Sequence, residues 1–154
     1  MNVKVINLAK SQTLHPPAIQ KLAEFLLLKS GKRSGISWGE VSVVIVNDRK
    51  SREVNRAHLG HDYATDVISF NFTSMPGEPA KIQDGEIVIN IQIARLLGPS
   101  YKGIDHELAL YLAHGCDHLS GADDNTLLQR QQMRRRELRW LKEAKLQGLN
   151  LKLT

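Results

Sequence analysis

The sequence predicts an α+β fold: a small mixed sheet of about four strands packed with helices. One observation predicts it, and two others bound the chain that adopts it. Strand-like segments lie early in the chain and helical ones late, which favours layered elements over strict alternation. At 154 residues the chain suits one domain, residues 1–154, and can bury a core unaided by a disulfide or structural metal. Its one cysteine, Cys116, excludes an internal disulfide and suits a reducing compartment. The opening MNVKVINLAK has no signal-peptide pattern, and no apolar run is long enough for a membrane span. The expectation is a soluble, cytoplasmic protein with no membrane partner.

The elements follow in order. Residues 3–8 alternate loosely in polarity and read as a strand. Pro16 and Pro17 open a helix, because a first-turn N–H has no intrahelical partner to lose. Ile19, Leu22, Ala23, Leu26 and Leu27 recur at helical spacing, and Gly31 is expected to stop the helix. EVSVVIV, residues 40–46, is a β-branched run and reads as a central strand. Asn47 or Asp48 can cap a helix through about His58, followed by a loop at 60–64. Two further strands are expected at 67–72 and 86–91, separated by the turn-rich MPGEP. Helices then run over about 91–97, stopping at Gly98-Pro99, over about 105–119, and from near Asn125 onward.

The net charge of +5 is local. Residues 130–145 hold seven Lys or Arg against two Glu, and the rest of the chain balances. A basic stripe on the last helix points to a polyanionic partner or to a solvated face. Met133, Leu138, Trp140 and Leu141 would supply its core or partner contacts.

The stretch HGCDHLSGADD, residues 114–124, holds the chemistry. His114 and His118 are four apart, so on a helix they share one face and can approach one metal ion. The HExxH helix does this for zinc, but Gly115 stands where that motif has its glutamate base, so peptidase chemistry is unsupported. Continued as helix, Asp124 would lie roughly 9 Å along the axis from His118 and off its face. Gly121 permits the chain to turn back. Two imidazoles and one carboxylate would leave a zinc ion an open position, as catalytic sites have. The alternative is a helix surface followed by an Asp-Asp-Asn cap.

The same stretch resembles the signature HGxLHLxGYDH of the YbeY family of bacterial rRNA-maturation endoribonucleases, through His114, Gly115, His118, Leu119, Gly121 and Asp123. DYATDVISF (residues 62–70) is similar to that family's DxPTDVLSF, and DGEIVIN (84–90) to its GDIVIS, in the same order. The resemblance implies a zinc-dependent, single-strand-specific endoribonuclease acting in 16S rRNA maturation and ribosome quality control. RNA would be its substrate, and the ribosome or a ribosomal protein a possible partner. His114, His118 and Asp124 would be the metal ligands. Catalytic roles would fall to His114, Asp124 and Asp66, with Asp123 as a further proton acceptor.

The departures matter. Asp124 stands at the family's third histidine, and aspartate is a competent zinc ligand. Asp117 stands where leucine is usual; it would support an imidazole or, as the preferred reading, face solvent. Ala122 replaces tyrosine. Leu59 replaces an arginine suited to binding phosphate, with Arg56 and Arg52 as stand-ins on the same helix. Arg56, Arg134 and Arg135 are candidate RNA contacts. Cys116 is expected to be buried packing, as are Trp38 and Trp140. His58 and His61 read as loop histidines, and Glu107 as a favourable charge in the first turn of its helix. Leu59 also leaves open a non-catalytic ribosome-assembly factor, and a metal hydrolase of another substrate is a further alternative.

Overall fold

The computed structural model describes residues 1–11, 13–73 and 81–152. The strands are β1 (Asn2–Asn7), β2 (Ser37–Val46), β3 (Val67–Asn71) and β4 (Ile82–Asn90). They form one mixed sheet in the order β1-β2-β4-β3. β1 and β4 flank β2 in parallel, and β3 runs antiparallel to β4. The helices are α1 (Pro16–Ser34), α2 (Asp48–Leu59), α3 (Ile91–Leu97), α4 (Ile104–Leu119) and α5 (Leu127–Leu146). Among the described residues no helix is long and apolar enough to cross a membrane.

Successive strand residues point to opposite faces. Val43, Ile45, Ile87 and Ile89 join the main core with α1, α4 and α5. Val44, Val46, Ile68 and Val88 form a second cluster on the other face, covered in part by Val54 of α2. Both faces of β2 and β4 are therefore buried, which is why the central strands read as continuous apolar runs.

Several boundaries differ from the sequence reading. Helix α1 passes through Gly31 and ends at Gly35, which takes the left-handed conformation with φ 70°. Gly31 is instead a close-packing position, where a Cβ would meet the Ile36 carbonyl oxygen and the Trp38 ring. β2 begins at Ser37 and β4 at Ile82, because their first residues are buried on alternate sides only and show no apolar run. β3 ends at Asn71. Helix α5 begins at Leu127: Thr126 is its cap, in a reciprocal box with Gln129. The MPGEP turn falls outside the described residues.

Helix α4 packs against α1, α5, β3 and β4. Its approach to the sheet depends on Gly115, where a Cβ would lie 2.6 Å from Ile87 Cγ2 and 3.1 Å from Val67 Cγ2. Ser69 Oγ donates to the Gly115 carbonyl at 2.8 Å, and Asn71 Nδ2 to that of Leu119 at 3.3 Å. These contacts fix the rotation of α4 and leave His114 and His118 half-buried on its outer flank.

Candidate metal centre

His114 and His118 lie one turn apart on α4, with ring centroids 4.5 Å apart and planes at 86°. The helix closes when the Gly121 N–H donates to the His118 carbonyl at 2.9 Å and that of Ala122 to the Asp117 carbonyl at 3.1 Å. Gly121 has φ 101°, a region that favours glycine. The chain reverses there and returns Asp124 to the pair. Asp124 Oδ2 lies 3.2 Å from His118 Nε2 and 3.6 Å from His114 Nε2. One ligating atom from each residue lies within 4.8 Å of the others.

The other imidazole nitrogens are already engaged. His118 Nδ1 donates to the Ala122 carbonyl at 2.9 Å, and His114 Nδ1 meets Glu137 Oε2 at 2.8 Å. With Nδ1 as donor, a neutral ring presents Nε2 as a lone pair. Two lone pairs and a carboxylate oxygen then face one another, an arrangement that repels unless a positive charge sits among them. The donor set and these outer partners suit a divalent ion.

Burial pulls the His114 pKa down, but the hydrogen bond to Glu137 and the charges of Glu137, Asp124 and Asp66 outweigh it and raise the pKa. Surroundings that favour a proton's charge on this ring also favour a metal cation's. Glu137 is fully buried, and its Oε1 has no hydrogen-bond partner among the described residues. The sequence reading missed Glu137. Its signal was positional: Met133, Glu137, Trp140 and Ala144 are the buried residues of α5 and recur at helical spacing, so one acid sits in the apolar stripe.

The remaining candidates fall in different places. Asp66 is not part of the cluster; its Oδ1 accepts from the Val67 N–H at 2.8 Å and from Thr65 Oγ1 at 3.4 Å. Cys116 is buried, and burial pushes its thiol pKa well up. The solvent reading of Asp117 is wrong. It is 0% exposed, with Arg136 Nη2 at 2.8 Å and Arg33 Nη2 at 3.4 Å from its carboxylate. Arg136 therefore leaves the solvated face of α5, and Leu138, read as a core or partner contact, is exposed and so not part of the core. Arg52 donates to both oxygens of Asp62 at 2.8 and 3.1 Å, and Arg56 lies 3.8 Å from the same carboxylate.

Two clefts meet at the cluster. One, of about 460 Å³, is lined by His114 and Asp124 together with Arg130, Arg134 and Arg135 of the basic stripe. The other, of about 350 Å³, holds His118 with Leu59, Tyr63, Ala122 and Asp123.

The frame and the site define an α+β protein with a His–His–Asp centre at a helix end, beside an arginine-lined cleft. Residues 4–145 match the family profile described as Endoribonuclease YbeY, and the chain belongs to that family. The Endoribonuclease YbeY of Chloroherpeton thalassium is 31% identical over 138 residues, 89% of this chain and 92% of the relative. That of Parabacteroides distasonis is 32% identical over 133 residues, 85% and 90% of the two chains. That of an Anaeromyxobacter species is 35% identical over 119 residues, 77% and 61%. A Thermotoga maritima protein solved in solution shares the fold, with a TM-score of 0.59 at 20% identity over 96% of this chain and 94% of that one.

Proposed function

We propose that this chain is a metal-dependent, single-strand-specific endoribonuclease working in 16S rRNA maturation and ribosome quality control in the cytoplasm. His114, His118 and Asp124 would hold one divalent ion, with zinc the first choice for imidazole and carboxylate ligands. The observation that carries this reading is the convergence of three acceptor atoms whose outer partners already fix both imidazole tautomers. When bound, the ion supplies Lewis-acid activation of water and of the phosphodiester.

The chain's own residues supply the rest. Arg130, Arg134 and Arg135 line the cleft on the His114 side and would hold backbone phosphates there. Glu137 would fix the tautomer and orientation of His114. Asp123 is exposed in the His118 cleft and would be the candidate general base, whereas the Asp66 carboxylate is engaged by the backbone N–H of Val67 at the start of β3. Leu59 lines that cleft without supplying a cation, which favours a second reading: an RNA-binding assembly factor that does not cleave.

The test is cleavage of single-stranded RNA by protein stripped with a chelator and reloaded with zinc, manganese or nickel. Cleavage that requires one of these ions supports the nuclease. RNA binding without cleavage under every ion supports the assembly factor. Arg134→Gln and Arg135→Gln should weaken RNA binding whatever the sequence. Each should lower the slope of log affinity against log salt by about 0.7. Glu137→Gln keeps an acceptor near His114 but removes the charge. Its metal affinity, read by chelator competition, should fall about tenfold or more.

A further inference from the structure

We infer that the loop joining α2 to β3 carries a base-stacking subsite: the paired rings of His61 and Tyr63 receive one unpaired nucleobase of the RNA beside the metal centre. The inference rests on the nuclease reading and adds a division of labour between the two clefts. The His114 side is lined by three arginines and suits phosphate. Among the described residues the His118 side has no Lys or Arg in its lining; Leu59, Val67 and Ala122 contribute apolar wall, and its formal negative charge is Asp123. Away from the ion that His118 would share, a phosphate placed there would meet a carboxylate and no cationic side chain. A base would meet apolar surface and hydrogen-bonding groups.

Besides His118, two rings stand in this cleft. Tyr63 is 55% exposed, and its ring lies 5.4 Å from that of His61 at an interplanar angle of 12°. Tyr63 Oη and His61 Nδ1 are 3.1 Å apart, which holds the two rings together as a stack whose outer face a base can extend. The backbone beneath them is fastened to α2. Asn55 Nδ2 donates to the Tyr63 carbonyl at 2.9 Å, Ser51 Oγ to that of Thr65 at 2.9 Å, and Arg52 grips Asp62. An aromatic pair left outside the core on an anchored loop is organised for stacking before a ligand arrives, so little ordering entropy remains to be lost. A base inside a duplex has both faces covered, so such a platform also selects single strands.

The test mixes wild-type, metal-loaded protein with short single-stranded RNAs, each carrying one 2-aminopurine at a different position. Stopped flow reads the binding phase ahead of cleavage. Quenching is expected at one position or two adjacent ones in the wild type and in Tyr63→Phe. Tyr63→Ala should lose the quenching and bind about tenfold more weakly. Arg134→Gln should bind more weakly but quench fully at saturation. Unchanged quenching and affinity in Tyr63→Ala overturn the inference, as does a wild type that quenches at no position or binds no RNA. Tyr63-dependent quenching without cleavage under any ion would remove the nuclease and keep the platform. Normal cleavage without Tyr63-dependent quenching would do the reverse.

Discussion

Asp124→Ala is expected to lose the bound ion and about a hundredfold or more of RNA cleavage, while Asp124→His keeps the ion. The geometry sets this asymmetry. Asp124 Oδ2 is the atom on which both Nε2 atoms converge, at 3.2 and 3.6 Å, and alanine leaves two imidazoles with no third ligand. Catalytic zinc sites use three protein ligands, so the His pair alone is expected to lose the ion on dialysis. Histidine at 124 restores a third donor and removes one negative charge. His114→Ala should behave like Asp124→Ala, because it removes a ligand and strands the buried Glu137 carboxylate. Metal analysis after dialysis, beside a cleavage assay and a thermal melt, separates loss of the ion from loss of the fold. A folded Asp124→Ala protein that retains one ion per chain would place the metal elsewhere.

What the sequence made readable depended on range. The pair His114 and His118 follows from helical period, and the reversal at Gly121 from glycine's backbone freedom; both are local properties of one short stretch. The central strands were legible because burial on both faces makes β2 and β4 continuous in apolar residues. Their first residues were not, since Trp38 and Gln83 are buried beside exposed neighbours. Asp117 and Glu137 were misread or missed for one reason: each is satisfied by a partner on another helix, Arg136 and His114 respectively. Nothing within a few residues of either acid shows that partner. A charged residue is exposed by default, and only the helical register of α5, with Glu137 in line with Met133 and Trp140, opposed that default. Likewise, the stripe's charge was visible in the sequence. Its separation into arginines that line the cleft and one that turns inward to Asp117 required the packing of α5 on α4.

That inward arginine leads to the largest stability effect expected outside the metal site. Arg136 Nε lies 3.1 Å from both Asp117 oxygens and Nη2 lies 2.8 Å from one, while Arg33 Nη2 stands farther off at 3.4 Å. Arg136→Met would leave a fully buried carboxylate with that one long contact. Removing one partner of a buried pair costs up to about 3–5 kcal/mol when the remaining charge has no compensation, and the longer Arg33 contact keeps the loss toward the lower end of that range. For a chain of this size the thermal midpoint should fall by about 10 °C. Asp117→Leu together with Arg136→Met should recover most of the loss, because apolar residues of similar volume replace a buried pair at little net cost. Arg33 is partly exposed and can turn to water. The double-mutant cycle should therefore show strong non-additivity. The consequence reaches the candidate metal centre, because Arg136 directly precedes Glu137 and both fasten α5 to α4. In the double variant Glu137 should remain against His114, so chelator competition should return near-parental metal affinity while Arg136→Met alone binds metal more weakly. A double variant that melts as low as Arg136→Met would show that the arginine stabilises the helix pair through its own packing, such as its place 5.9 Å over the Trp140 ring, and not by neutralising Asp117.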